Sequence, residues 1–565
     1  MSANWVSSCA QTDRARSGQS VHAVEIPLVN DAPLPLPFQR NLGGGSTIRI
    51  LIIAALLLGL ATPAAAKWRE AQSENFVIYA DDSDEDIREF AELLEGYHRA
   101  MEVVTGSDVD PPSPSNRVTI FAVGSERDMD RLTGSRNIAG FYVPRAGFSR
   151  AFVQNIRFGS GRKLDFSMSI LLHEYAHHFL MSTSRFAMPR WMSEGAAEFF
   201  ASAGFEKDGT VVVGRPNVHR AYELAYADEV SARELLDHEL YKKRRGDRYD
   251  AFYGRSWLLY HYLVFENARD DQLKEYWTSL ALGKMSEVEA AEHAFGDLDQ
   301  LEDELKAYGR ARRMYNFTLT PEMLQMGNLD IKTRELSEGH ADMMPLIIRS
   351  QRGVDREEAL EIVEDARKVA KEYPNDPWVL AALAEAEFDA GENERAIAAA
   401  DRAIAFNPNV KNAYIQKGYA MFRMAGEADD KEAGFKAAME PFSALNRLEN
   451  DHPLPLIYFY RSFMDRGEEP NELAKHALER AAELAPFDRD LWFQSGLMQM
   501  REGKNRLATY SLSSVASDPH GGKRADVANA LVEALDGRPD GEIFDPTMLL
   551  TQFEDTEKSA AAPAT

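Results

Sequence analysis

Leu171-Leu172-His173-Glu174-Tyr175-Ala176-His177-His178-Phe179-Leu180 is the stretch that decides how the chain is read. His173 and His177 stand four residues apart, one turn of an α-helix, so both imidazoles face the same way. Two imidazoles at that spacing can hold one Zn²⁺, with Glu174 beside the metal-bound water. With 13 histidines in 565 residues, the pattern arises by accident about 0.03 times in such a chain. Leu171, Leu172, Ala176, Phe179 and Leu180 supply an apolar face, which predicts a buried helix. His178 falls on another face of that helix and is expected to be structural, as is His261.

Short apolar strands precede this helix. Phe76-Val77-Ile78-Tyr79 and Val118-Thr119-Ile120-Phe121 read as strands, and Phe141 to Gln154 reads as a hairpin around Pro144 to Ser149. Asp81-Asp82-Ser83 can cap the helix that follows the first strand, and Ser125 opens a short helix after the second. More helices follow, with a second hairpin at Gly204 to Gly214. The pattern predicts an α+β domain over 67–315 and a connector over 316–353.

Pro189-Arg190-Trp191-Met192-Ser193-Glu194-Gly195-Ala196-Ala197-Glu198-Phe199 lies just downstream. Glu194 and Glu198 are again one turn apart on what reads as a second helix. The chemistry needs one carboxylate on the metal and another as partner to a ligand histidine, which normally donates its second ring N–H to such a group.

From about residue 354 the texture changes to Ala-rich helices. Pro374 and Pro408 are 34 apart by their numbering, and Pro453, Pro486 and Pro519 follow at intervals of 33. Each unit has a helix with small and aromatic residues (Trp378, Leu380 and Ala384; Trp492 and Gly496), a turn and a second helix. Period, helix pair and closing proline resemble tetratricopeptide (TPR) repeats over 354–536. The longer interval from 408 to 453 implies an irregular unit, and Pro453-Leu454-Pro455 reads as an interruption. Residues 537–565 read as a tail.

HExxH followed by W-x-x-E-G-x-A-E resembles the gluzincin superfamily of zinc metallopeptidases. Within it, the chain is similar to the peptidase MA-like group that carries C-terminal TPR repeats. The resemblance implies that His173, His177 and Glu194 ligate Zn²⁺, that Glu174 is the general base, and that Glu198 supports His173. Many relatives carry Asp at the position of Glu198, and the 17-residue separation of His177 and Glu194 is shorter than in the best-known branches. Tyr253-Gly254-Arg255-Ser256-Trp257 resembles the segment in which a tyrosine opens a helix and donates its hydroxyl to the tetrahedral intermediate. Tyr253 takes that role by resemblance, although Arg255 and Ser256 replace the usual Lys-Gly. No Gly-Ala-Met-Glu-Asn-type segment is present to grip a free N-terminus, which favours an endopeptidase or a carboxy-side activity. The resemblance also implies that an edge strand of the 141–154 hairpin pairs with extended substrate.

Composition sets the outer bounds. Hydrophobic residues make up 44% and charged residues 27%, ordinary for a globular protein. The net charge is −26 and the pI about 5.0, against the basic face a nucleic-acid binder needs. Cys9 is the single cysteine, so neither a disulfide framework nor a thiolate metal site can be built. Arg49, the twelve apolar residues from Ile50 to Ala61, and Ala64-Ala65-Ala66 follow the layout of a secretory signal cleaved before Lys67. Residues 1–46 show no periodicity. The expectation is an exported or periplasmic zinc peptidase acting on peptide or protein, its TPR repeats recruiting substrate or partner. The membrane is involved only if the signal is retained as an anchor. The alternative is an inactive peptidase-like scaffold whose repeats bind proteins.

Overall fold

Residues 20–25, 67–107, 109–157, 164–184, 186–244, 249–282, 285–547 and 549–551 are described by the structure, a computed structural model. Cys9, the apolar run 50–61, the cleavage position at Ala66 and the tail 555–565 lie outside the described residues. No helix among the described residues is long and apolar enough to cross a membrane.

In chain order the strands are β1 (Ser20–Glu25), β2 (Arg69–Gln72), β3 (Phe76–Ala80), β4 (Val118–Ala122), β5 (Gly140–Val143), β6 (Arg150–Val153), β7 (Gly204–Phe205), β8 (Val211–Val213), β9 (Arg313–Leu319) and β10 (Lys332–Glu335). Six of them form one sheet in the order β10-β2-β3-β4-β6-β5, with β3, β4 and β6 parallel and the other pairs antiparallel. All five residues of β4 are buried, as a central strand covered on both faces requires. Helix α1 (Asp84–Thr105) buries Ile87, Phe90, Leu94 and Tyr97 and joins Ile78 and Ile120 in the main core. Its N-terminus is capped by Ser83, whose hydroxyl accepts the Asp86 N–H at 3.1 Å. Ser125 caps α2 (Glu126–Thr133) in the same way. Strand β5 pairs only with β6 and is a sheet edge.

The smaller sheet has the antiparallel order β1-β9-β8-β7. All six residues of β1 pair with β9. This strand arises from the stretch 1–46 that shows no periodicity, because its pairing is set by the open edge of β9 far along the chain rather than by a local pattern. The stretch expected as a connector, 316–353, is also more ordered than its sequence suggests. It carries the end of β9, all of β10 and two helices, Pro321–Leu324 and Glu338–Arg352. Strand β10, Lys332-Thr333-Arg334-Glu335, has no apolar residue to mark it, whereas β9 alternates from Tyr315 to Leu319.

Around the HExxH motif, α3 (Phe166–Thr183) is capped by Asp165, which accepts the Met168 N–H at 2.8 Å. Helix α4 (Arg190–Ala201) packs against α3 and against a later helix, described below with the site. Its residues Trp191 to Ala201 are all buried. Gly195 is required here by close approach. A Cβ on it would come within 2.4 Å of the Ser256 carbonyl oxygen.

The C-terminal half is a TPR-type helical repeat region. Helix α5 (Val218–Tyr226) and α6 (Phe252–Phe265) complete the first domain, together with helices at Gln272–Leu282, Glu287–Phe295 and Leu298–Gly309. The array then runs α7 (Glu338–Arg352), α8 (Arg356–Glu372), α9 (Pro377–Asp389), α10 (Asn393–Phe406), α11 (Lys411–Glu427), α12 (Lys431–Leu448), α13 (Pro453–Met464), α14 (Glu472–Leu484), α15 (Arg489–Arg501), α16 (Asn505–Ala516) and α17 (Lys523–Leu535). The irregular unit is the pair α11 and α12, 17 and 18 residues long against 13 and 14 in the pair before it. Pro453-Leu454-Pro455 does not interrupt the array. Pro453 opens α13, where the first turn needs no N–H donor and a φ near −65° fits.

The array is packed onto the first domain. The turn between β5 and β6 presses into it: the Ala146 N–H donates to Asp488 Oδ2 at 2.8 Å, and Ala146 belongs to the same core as Phe422, Phe442 and Leu478. Ser115 N–H donates to Glu449 Oε1 at 2.9 Å, and Arg190 Nε donates to the Pro519 carbonyl at 2.9 Å. Arg150 reaches Gln351 of α7 and sits within the field of Glu385 and Asp389 on α9.

Candidate metal centre

Helices α3 and α4 bring His173, His177 and Glu194 together. The two Nε2 atoms are 3.1 Å apart. Glu194 Oε2 lies 3.3 Å from each of them. Ligand atoms bound tetrahedrally at about 2.0–2.2 Å from one Zn²⁺ stand about 3.3–3.6 Å apart, so the three atoms already have close to that spacing. Both carboxylate oxygens of Glu194 are buried and accept no hydrogen bond. An anion buried with no donor is costly unless a cation answers it. The donor set, two imidazoles and a carboxylate, suits a divalent ion such as zinc.

The outer contacts orient these three side chains. His173 Nδ1 lies 3.2 Å from Glu198 Oε1, which leaves Nε2 facing Glu194. Glu198 in turn accepts Asn217 Nδ2 at 2.9 Å and Arg220 at 2.5 Å, both from α5 or its cap. His177 Nδ1 meets Ser193 Oγ at 3.3 Å. Burial works against the His173 imidazolium, but Glu194 and Glu198 overcome it and raise its pKa to about 10. Burial likewise opposes the charge on Glu194, and His177 and His173 more than compensate, holding its carboxyl far below the ordinary range. Two carboxylates, Glu194 and Glu198, thus lie against the imidazoles on either side of His173.

Glu174 sits beside the pair and lines a cleft of about 290 Å³ with His177, Gly140, Phe141 and Tyr142. The edge strand β5 therefore borders the cleft. Burial alone would raise the pKa of Glu174, but His520, His173 and His177 lower it. His520 Nε2 is 3.7 Å from Glu174 Oε2, too far for a hydrogen bond and close enough for an electrostatic contact. Its ring packs edge-on to His177 at 5.4 Å between centroids. His520 comes from the α16–α17 loop of the repeats, and Phe487 and Arg489 line the same wall.

Tyr253 lies in the first turn of α6, with the Arg220 guanidinium 4.9 Å from its ring centroid. Its pKa is raised by burial and then by the charge of Glu194. His178 and His261 are engaged elsewhere. His178 Nδ1 meets Tyr142 Oη at 2.6 Å. His261 bonds Tyr308 Oη at 2.8 Å and the Gly214 carbonyl at 2.9 Å. Sequence reasoning missed Asn217, Arg220 and His520. The first two carry no motif, and His520 belongs to a different domain.

A family described as a protein of unknown function (DUF1570) matches residues 167–283, the stretch that holds α3, α4 and Tyr253. No curated protein matches. Solved structures similar to the chain include TTC0263, a thermophilic TPR protein in Thermus thermophilus, at 16% identity and TM-score 0.29, covering 35% of this chain and 98% of that one. MamA is similar at 18% identity and TM-score 0.25, covering 33% and 96%. MamA 41-end from Desulfovibrio magneticus RS-1 is similar at 15% identity and TM-score 0.23, covering 40% and 99%.

Proposed function

We propose that the chain is a zinc-dependent peptidase of the gluzincin type, exported from the cell, that hydrolyses peptide bonds in the cleft between its first domain and its repeats. The observation that carries this reading is the triangle of His173 Nε2, His177 Nε2 and Glu194 Oε2, with Glu174 lining the adjoining cleft beside His177. His173, His177 and Glu194 hold the ion. Bound there, Zn²⁺ supplies Lewis-acid chemistry, lowering the pKa of a coordinated water and polarising the scissile carbonyl.

The protein's own groups do the rest. Glu174, ionised at neutral pH, takes the proton of the attacking water and delivers it to the departing amine nitrogen. Tyr253 donates its hydroxyl to the oxygen that gains charge. Glu198 holds His173 in the tautomer that presents Nε2. His520 stands 3.7 Å from Glu174 and favours its ionised form. The free edge of β5 pairs with an extended substrate backbone. The repeats act first in cis, as a wall of the cleft, and any partner is recruited by surfaces they leave open.

Zinc-loaded full-length chain and its Glu174→Gln variant, assayed on a diverse peptide library, test the reading. The wild type cleaves, and the variant keeps its zinc and loses on the order of 100-fold or more in turnover. Cleavage by both at similar rates overturns the mechanism. Cleavage by neither, with zinc bound, turns the reading to a scaffold that binds proteins through its repeats.

A further inference from the structure

The cleft has a cationic group that the reaction above does not use. Arg489 opens α15 and lines the cleft together with Glu174, His177 and Phe487. One of its terminal nitrogens donates to the Ser514 carbonyl. Its Nε is buried and has no acceptor. Among the described residues no carboxylate comes within 4.0 Å of the guanidinium. Asp518 acts on it only at longer range, and Asp518 Oδ1 is committed to the backbone N–H of His520 at 2.9 Å. Burial lowers the pKa of Arg489 to about 10, so it stays charged at neutral pH. A half-buried arginine whose Nε is buried without an acceptor and whose guanidinium has one neutral partner is poorly compensated, and an anion is its natural complement. Its planar fork matches a carboxylate through two parallel N–H donors.

We propose that Arg489 is a specificity residue of the cleft, one that receives a carboxylate of the bound peptide. The carboxylate belongs either to the peptide's C-terminus or to an Asp or Glu side chain. The inference rests on the peptidase reading for the identity of the ligand as a peptide. Its basis in the structure is separate, since Arg489 comes from the repeats and not from the metal helices.

The test measures binding and not turnover. Fluorescein-labelled octapeptide pools are titrated by anisotropy against the zinc-loaded Glu174→Gln chain. One pair of pools lacks acidic side chains and has a free or an amidated C-terminus. A second pair is amidated and carries a single Glu or a single Gln. One acidic pool binds about tenfold tighter than its neutral counterpart, and which pair shows this identifies the source of the carboxylate. Adding Arg489→Met abolishes the preference while zinc content stays the same. Arg489→Gln, which keeps a donor for Ser514, does likewise and decides the matter if the Met variant does not fold. Equal binding of acidic and neutral pools, or a preference that survives Arg489→Gln, overturns the proposal. If peptides bind with this preference but the wild type cleaves none, the peptidase reading fails and the carboxylate site stands.

Discussion

Glu194 and Glu198 are chemically identical and one helical turn apart, yet their surroundings give them different work. Glu194 meets only the two imidazole Nε2 atoms and leaves both oxygens without a donor, whereas Glu198 is held by Asn217, Arg220 and His173 Nδ1. The first is suited to a cation and the second to orienting a ligand. Glu198→Ala therefore lowers zinc affinity about 10- to 100-fold without removing a ligand, the usual cost of losing such support. Competition with a chelator of known affinity checks this, and an unchanged affinity would show that His173 needs no orienting. That His173, His177 and Glu194 would meet was legible because HExxH and the Glu–Gly segment carry their own spacing. Arg220 and Asn217 were not, since one arginine and one asparagine in a helical stretch look like any surface pair.

At the scale of elements, the sequence carried furthest where the pattern was local. The hairpin at 141–154, the cap at Ser83 and the helix through the metal motif all follow from residues within a few positions of one another. It carried least where pairing is non-local. Strand β1 owes its place to β9, and β10 owes its place to β2. Pro453 shows a third case. A proline pair reads as a breaker in isolation, but at the first turn of a helix the missing N–H costs nothing. Gly195 belongs with these. Its neighbours in sequence do not reveal that α4 and α6 approach so closely that no Cβ fits.

The first domain is packed against the repeats, and this was not readable from either half. TPR spacing suggests a free binding surface, whereas here Asp488, Glu449 and Pro519 are bonded to the first domain, and His520 reaches its cleft. The junction has a pH signature. Glu385 on α9 accepts Asn412 Nδ2 at 3.0 Å and is also bonded by Gln351, itself a partner of Arg150. Burial first, then Asp389, raises its pKa from about 4.5 to about 7. Because the folded value lies above the unfolded one, the folded state binds more protons between those limits. The stability tied to protonated Glu385 is full below about pH 4.5 and is lost as pH rises through about 7. A shift of this size corresponds to roughly 3 kcal/mol. Glu385→Gln, which stays neutral, flattens that fall. Thermal melts of both proteins from about pH 5 to 8 check it, and parallel curves would show that Glu385 does not titrate in the window.

The most direct test of the metal centre is the zinc content of the full-length chain, measured by elemental mass spectrometry after dialysis against metal-free buffer, beside that of His177→Ala. The account predicts about one zinc per wild-type chain and almost none in the variant. Zinc absent from the wild type, or equal in both, would contradict it.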